Sequence, residues 1–179
     1  MNNGTGQAGD CANCMIDPFR VGDSFVADAN RFAQATVYAV DNNFQIVQEA
    51  LGTLNNTRFA REAVDYAYNH GVVVIASAAD EAAQHHNYVS SLPHTIVVNS
   101  IDKYPSTGGV PEENPKSYLT FNGCTNFSSK ITVSIPSTSC SSNATEVAAG
   151  IAGLIYSAAL NARDQGKLQP SSDCQLANG

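Results

Sequence analysis

Val72-Val73-Val74-Ile75-Ala76 is an unbroken apolar run, mostly β-branched, with no polar position on either face. A strand wetted on one side alternates apolar with polar. A continuous run of this length marks a strand covered on both sides, as in parallel sheets sandwiched by helices. Thr95–Ile101 is a second run of this kind, and Phe44–Leu51, ended by Gly52, Tyr118–Asn122 and Ile131–Ile135 are further strand-like segments. Met15–Val21 is a short extended run containing Pro18. Between the strands lie helical patterns. Asp28–Asp41 carries Phe32, Ala35, Tyr38 and Ala39 at helical spacing, and Asn56 or Thr57 caps a second helix that runs to Asn69 and stops at His70-Gly71. Asp102–Lys116 is a Pro/Gly/Glu-rich loop. This alternation predicts an α/β domain with a doubly wound, mainly parallel sheet and helices on both faces. In such sheets ligands bind at the carboxyl ends of strands, which points to the residues after Ala50, Ala78 and Ile135.

The chain of 179 residues is long enough for one domain with a sizeable core. Its net charge of −7 argues against nucleic acid and anionic membrane as partners. The longest apolar run, Val147–Leu160, is too short to span a bilayer. The N-terminus lacks the charged, apolar and small-residue order of a signal peptide. The cysteines are Cys11, Cys14, Cys124, Cys140 and Cys174, an odd count that leaves at least one without an intramolecular disulfide partner. Cys11-Ala-Asn-Cys14 has no second pair at zinc-ribbon spacing, so a local disulfide or two free thiols is the better reading. Cys124 and Cys140 bracket the last strand, where a bridge would pin the turn before Ser142. No metal is expected. The sequons at Asn55, Asn126 and Asn143 carry no weight.

From Ser139 to Leu160 a cluster of small hydroxyl residues opens onto a helix that is apolar nearly all round. Such a helix is expected to be buried on every side. A hydroxyl at its mouth lies in the positive field of the helix N-terminus, which suits a nucleophile. It equally suits an ordinary N-cap: Ser141, Ser142 and Asn143 are all good caps, and Asn143 with Glu146 has capping-box-like spacing.

Cys140-Ser141-Ser142-Asn143-Ala144-Thr145-Glu146-Val147-Ala148-Ala149-Gly150 is similar to the motif Gly-Thr-Ser-Met-Ala-x-Pro followed by x-Val-Ala-Gly of the subtilisin-like serine peptidases. Ala76-Ser77-Ala78-Ala79-Asp80-Glu81 resembles the family's oxyanion segment, an Ala-rich strand ending in Gly-Asn-Glu. Ala50-Leu51-Gly52 resembles its substrate-binding Ser-Leu-Gly. Asn2-Asn3, Gly6, Gly9 and the extended Ile16–Val21 are similar to the stretch following the family's His-Gly-Thr helix. The resemblance covers about Asn2 to Ala162 and implies a partial subtilisin-like peptidase domain over residues 1–166, incomplete at its N-terminal side, with a polar tail over 167–179.

Carried over residue by residue, the resemblance implies Ser142 as the nucleophile position and Asp80 at the oxyanion position. It implies substrate contacts at Ala50, Leu51, Gly52, Ala76, Ser77 and Ala78. A peptide or protein is the implied substrate, hydrolysed through an acyl-enzyme, and secretion or an extracytoplasmic setting is the implied location. Calcium enters only through the resemblance, since no ligand-spaced carboxylate loop supports it, and no other cofactor is expected. Two departures follow. A serine hydroxyl needs a general base, yet His70, His85, His86 and His94 all lack the family's context for one. The implied base and its orienting Asp lie upstream of this chain, which alone is not expected to run triad catalysis. Asp80 stands where the family has Asn, and an ionised carboxylate repels a developing oxyanion where an amide would donate to it, unless burial keeps it protonated. The alternative reading is a catalytically inactive relative that binds extended peptides after Ala50-Leu51-Gly52. An unrelated small-molecule binder is disfavoured because no Gly-rich phosphate loop follows a strand.

Overall fold

A computed structural model describes residues 5, 9–23, 26–53, 55–85, 87–101, 124–137 and 139–168. The first helix, α1 (Ala29–Asp41), is opened by Asp28, whose Oδ1 accepts from Asn30 N at 2.8 Å and Arg31 N at 3.2 Å. Strand β1 (Ile46–Glu49) follows. Thr57 caps α2 (Arg58–Asn69) through Ala60 N, and Gly71 at φ +74° turns the chain into β2 (Val73–Ser77). A single turn, α3 (Tyr88–Ser91), leads to β3 (Thr95–Ile101), and β4 (Val133–Pro136) precedes the long α4 (Ser141–Asp164).

The four strands lie side by side in chain order, all parallel, with Ile46 opposite Val73, Val74 opposite Thr95 and Val98 opposite Val133. Successive residues of a strand face opposite sides of the sheet, and the core divides accordingly. Val74 and Ala76 pack with Phe32, Ala33, Ala60, Ala63, Val64 and Ala67 of α1 and α2 on one face. Ile75, Val98 and Ile135 pack with Ala144 and Ala148 of α4 on the other. Helices on both faces of a parallel sheet are what the unbroken β-branched run called for.

The structure trims or shifts several expected elements. Strand β1 is the central part of Phe44–Leu51, and β4 begins two residues later than Ile131. Met15–Val21 joins no ladder, and Met15 is almost fully exposed. Asp102–Lys116, Tyr118–Asn122, Asn2-Asn3, Gly6, His86, Cys174 and the tail beyond Leu168 lie outside the described residues.

A clearer correction concerns α4. It buries Ser141, Ala144, Thr145, Ala148 and Gly153, but Ile151, Leu154 and Ile155 are 43 %, 48 % and 66 % exposed. One sheet covers one side of a helix, and among the described residues no second layer covers the other. The loop closed by a Cys11–Cys14 disulfide supplies a local cover, seated so closely that a Cβ on Gly153 would lie 2.8 Å from Cys14 Sγ. A second disulfide joins Cys124 to Cys140, the bridge that would pin the last turn. No described helix is long and apolar enough to cross a membrane.

The α1–α2 contact is built on alanines: Ala29, Ala33, Ala60 and Ala67 are fully buried and Ala63 nearly so. Small side chains let the helices approach closely and leave no slack for a larger one. Ala63→Leu should therefore cost about 1–3 kcal/mol by overpacking. A lowered urea midpoint at unchanged slope checks it, with exposed Arg61→Ala staying within about 0.5 kcal/mol of wild type.

Candidate active site at the N-terminus of the long helix

Strand β2 ends at Ser77, and Ala78 N still donates to Val98 O at 2.9 Å. The chain then turns sharply, with Ala79 at φ +70° and Ala82 at φ +53°. Residues with a Cβ seldom hold these conformations, so the surroundings must impose them. Asn126 does much of this. Its N–H donates to Ala79 O at 2.8 Å, its Oδ1 accepts from Ala83 N at 3.1 Å, and its Nδ2 reaches Glu81. Asn126 is fully buried, which disposes of its sequon as a surface site.

The turn at Ala79 sends Asp80 to the mouth of α4. Asp80 Oδ1 accepts from Ser141 N at 2.9 Å and from Ser141 Oγ at 2.5 Å. A hydroxyl has one proton. With Ser141 Oγ–H given to Asp80, Ser77 is the donor in the 2.6 Å contact between the two serine oxygens. Ser77 Oγ in turn accepts from Ala79 N at 3.1 Å. A directed chain thus runs from Ala79 N–H through Ser77 and Ser141 to the Asp80 carboxylate.

This arrangement corrects the expectation that a local hydroxyl caps the helix. The N-cap is Cys140, which makes no side-chain cap bond. Ser141 is the first helical residue and gives its proton away, while Asn143 Oδ1 accepts from Ser137 Oγ at 2.7 Å. The cap comes instead from a carboxylate 61 residues earlier, placed where an anion meets the positive end of the helix.

Ser142 occupies the first turn, half-buried, and its hydroxyl has no hydrogen-bond partner among the described residues. None of the described histidines serves it. His70 Nδ1 contacts Tyr66 O at 2.8 Å, His94 stacks on Tyr68 with Nε2 3.9 Å from Asp65, and His85 is exposed. No three His, Cys, Asp or Glu side chains gather as a metal centre would among the described residues.

Because β1 and β2 are adjacent and parallel, Ala50-Leu51-Gly52 and Ala78-Ala79-Asp80 leave the sheet at the same carboxyl edge, the edge to which Asp80 binds α4. Ala76, Ser77 and Ala78 are buried, whereas Ala50, Leu51 and Gly52 are partly exposed. Gly52 O accepts from Ala27 N at 2.8 Å, Val26 bridges Gly52 in parallel, and a Cβ on Gly52 would come within 2.9 Å of Asn87 Nδ2. A side chain there would have to displace the buried Asn87 amide.

Glu49, the last residue of β1, escaped the reading of the sequence. It is only 5 % exposed, its Oε2 accepts from Leu51 N at 2.9 Å, and its Oε1 is buried without a partner. Burial pushes its pKa up to about 8, against a downward pull from the Leu51 N–H. Strand parity was the available signal, since Glu49 shares the inward side of β1 with Val47.

The described residues define a class of fold: a parallel α/β sheet whose last described strand leads into a helix with a partnerless serine on its first turn. The comparisons make it specific. The model of the subtilase family matches residues 1–171, and the chain belongs to that family. It is 29 % identical over 165 residues to thermitase from Thermoactinomyces vulgaris, covering 87 % of this chain and 56 % of thermitase. It is 32 % identical over 107 residues to a thermophilic serine proteinase from Bacillus sp. (strain AK1), covering 58 % of this chain and 26 % of that protein. Among solved structures, the prenylagaramide maturation protease PagA superposes with a TM-score of 0.64 at 18 % identity, over 84 % of this chain and 56 % of PagA. A lanthipeptide protease does so with 0.64 at 19 % identity, over 87 % and 58 %. These two establish the fold, an incomplete subtilisin-like α/β domain. The chain spans little more than half the length of thermitase and PagA.

The donor chain at the helix mouth predicts a graded mutational response. Asp80→Ala should cost about 0.5–2 kcal/mol, the range for a lost N-cap, and Asp80→Asn less, because Asn keeps an acceptor. Equal destabilisation by both in thermal melts would contradict the cap. Glu49 predicts a pH dependence. Its carboxyl titrates near 4.5 when unfolded and near 8 when folded, so the folded state retains a proton over that interval. Stability is then full below the unfolded value and falls as pH rises, until the folded value is passed. Glu49→Gln should melt within about 2 °C of wild type at pH 5 and several degrees above it near pH 8.5.

Proposed function

We propose that this chain is the C-terminal portion of the catalytic domain of a serine endopeptidase, with Ser142 as its nucleophile. Ser142 Oγ attacks the carbonyl of a peptide bond, the amine leaves, and water releases the acyl group. The observation that carries this reading is the free Ser142 hydroxyl on the first turn of α4, next to a Ser141 whose N–H and hydroxyl are both committed to Asp80. The positive end of α4 and its unpaired first-turn N–H groups suit a developing oxyanion. The base that takes the Ser142 proton, and the carboxylate that orients it, belong in this proposal to protein outside the chain. In this proposal the domain runs to about Gly166, just past the end of α4 at Asp164. Two disulfides fit an oxidising, extracytoplasmic setting.

Asp80 favours a second reading. Its Oδ1 already accepts two hydrogen bonds, and a carboxylate in that place withholds the donor that acyl transfer uses. A relative that binds extended peptides at the Ala50-Leu51-Gly52 edge without cleaving them fits this observation.

Fluorophosphonate labelling of the full polypeptide that carries this chain separates the two. Covalent labelling that vanishes in Ser142→Ala and persists in Ser141→Ala is the expected result, with Asp80→Asn labelling faster than wild type. Absence of labelling in a folded polypeptide would leave the peptide binder.

A further inference from the structure

The oddest side chain in the molecule is Glu49. Its register partner in β2 is Ala76, which packs with Phe32, Ala60, Val64 and Tyr88 on the face covered by α1 and α2. An apolar residue there would pack without penalty, whereas a buried acid with one oxygen unpaired is costly. Groups of this kind gather where a fold gives up stability for function. Glu49 stands directly before Ala50-Leu51-Gly52, and its one protein hydrogen bond is to the middle residue of that segment.

We propose that Glu49 is a positioning residue of the peptide-binding edge, holding the Leu51 N–H toward the sheet and so fixing which backbone groups of Ala50-Leu51-Gly52 are presented to an extended peptide. The segment leaves β1 and so lacks the β2 ladder that fixes the strand before it. Beyond the Val26–Gly52 bridge, two ties hold the segment where that ladder ends. Leu51 N–H is held by Glu49 and Gly52 C=O by Ala27 N–H, with Asn87 packed against the Gly52 Cα. Removing the first tie leaves the second acting as a hinge, because glycine tolerates many backbone conformations. Peptide strands dock on such edges mainly through main-chain hydrogen bonds, so a segment free to rotate about Gly52 binds less tightly. The role at the edge rests on the peptide-binding reading above; the tie to Leu51 does not.

The test compares wild type, Glu49→Gln and Glu49→Met in the full polypeptide, by amide hydrogen exchange and by titration with acetyl-tetra-alanine amide read at the Ala50–Thr53 amides. Gln keeps an acceptor, while Met fills the space without one. Leu51 should exchange about tenfold faster in Glu49→Met and within about twofold of wild type in Glu49→Gln. The Val73–Ser77 amides should be no faster in either. Glu49→Met should also melt no lower than wild type yet bind the peptide at least about fivefold more weakly. A merely structural group would lose stability and binding together. Unchanged Leu51 exchange in a folded Glu49→Met would overturn the proposal. Should Glu49→Met not fold, Glu49→Leu, which also lacks an acceptor, takes its place: faster Leu51 exchange beside an unchanged Val73–Ser77 ladder supports the proposal, and unchanged Leu51 exchange overturns it. If no form shifts with peptide while Leu51 follows the expected pattern, the tie stands and the peptide-binding reading fails.

Discussion

The bond from Asp80 to Ser141 is what joins the two halves of the site. A carboxylate at a helix N-terminus adds about 1 kcal/mol as a cap and about 0.3–1 kcal/mol through the helix dipole. Against this stands the turn that aims it, with Ala79 and Ala82 both in the left-handed region at about 1–3 kcal/mol each. The cap alone does not offset two such residues. The remainder falls to Asn126, which binds the loop on both sides of Asp80, and to the Cys124–Cys140 disulfide, which ties the Asn126 segment to the residue before α4. Loop, strut and helix are therefore one unit. Loosening any one of them releases the strain at Ala79 and moves Asp80 from Ser141.

That unit also explains why two neighbouring serines have different fates. Ser141 and Ser142 are chemically identical and adjacent, so sequence chemistry does not separate them. Ser141 faces inward, fully buried, and its proton is committed to Asp80 through a chain that reaches back to Ala79 N–H. One residue on, about 100° around the helix, Ser142 meets neither Ser77 nor Asp80. The geometry shows one role for that carboxylate: it anchors the helix mouth through the Ser141 N–H and hydroxyl.

The architecture was legible because it depends on periodicity. Unbroken β-branched runs gave the parallel strands, Phe32 and its partners gave α1, and Thr57 and Gly71 marked the ends of α2. The three matched segments were legible as strand ends and a helix mouth, and the parallel sheet places the strand ends at one edge. What could not be read was long-range pairing. Local rules made Ser141, Ser142 or Asn143 the cap, whereas the cap comes from Asp80, 61 residues away in sequence. Glu49 was hidden for a related reason: a charged residue near the end of a strand reads as a solvated terminus until the helices that bury it are in place.

The long helix exposes the limit of reading burial from composition. An all-round apolar sequence states how much cover a helix can use, not how much it receives. In α4 the first two turns are gripped by the sheet and by polar ties, at Ser141, Ala144, Thr145 and Ala148, whereas Ile151, Leu154 and Ile155 beyond them face outward. Gly150 and Gly153 are filled by Asp10 and the Cys11–Cys14 loop at distances no side chain could share. The setting of Ser142 is therefore decided within the first two turns, by hydrogen bonds and a disulfide. Whatever covers the outer face can add stability to the helix without having to build its mouth.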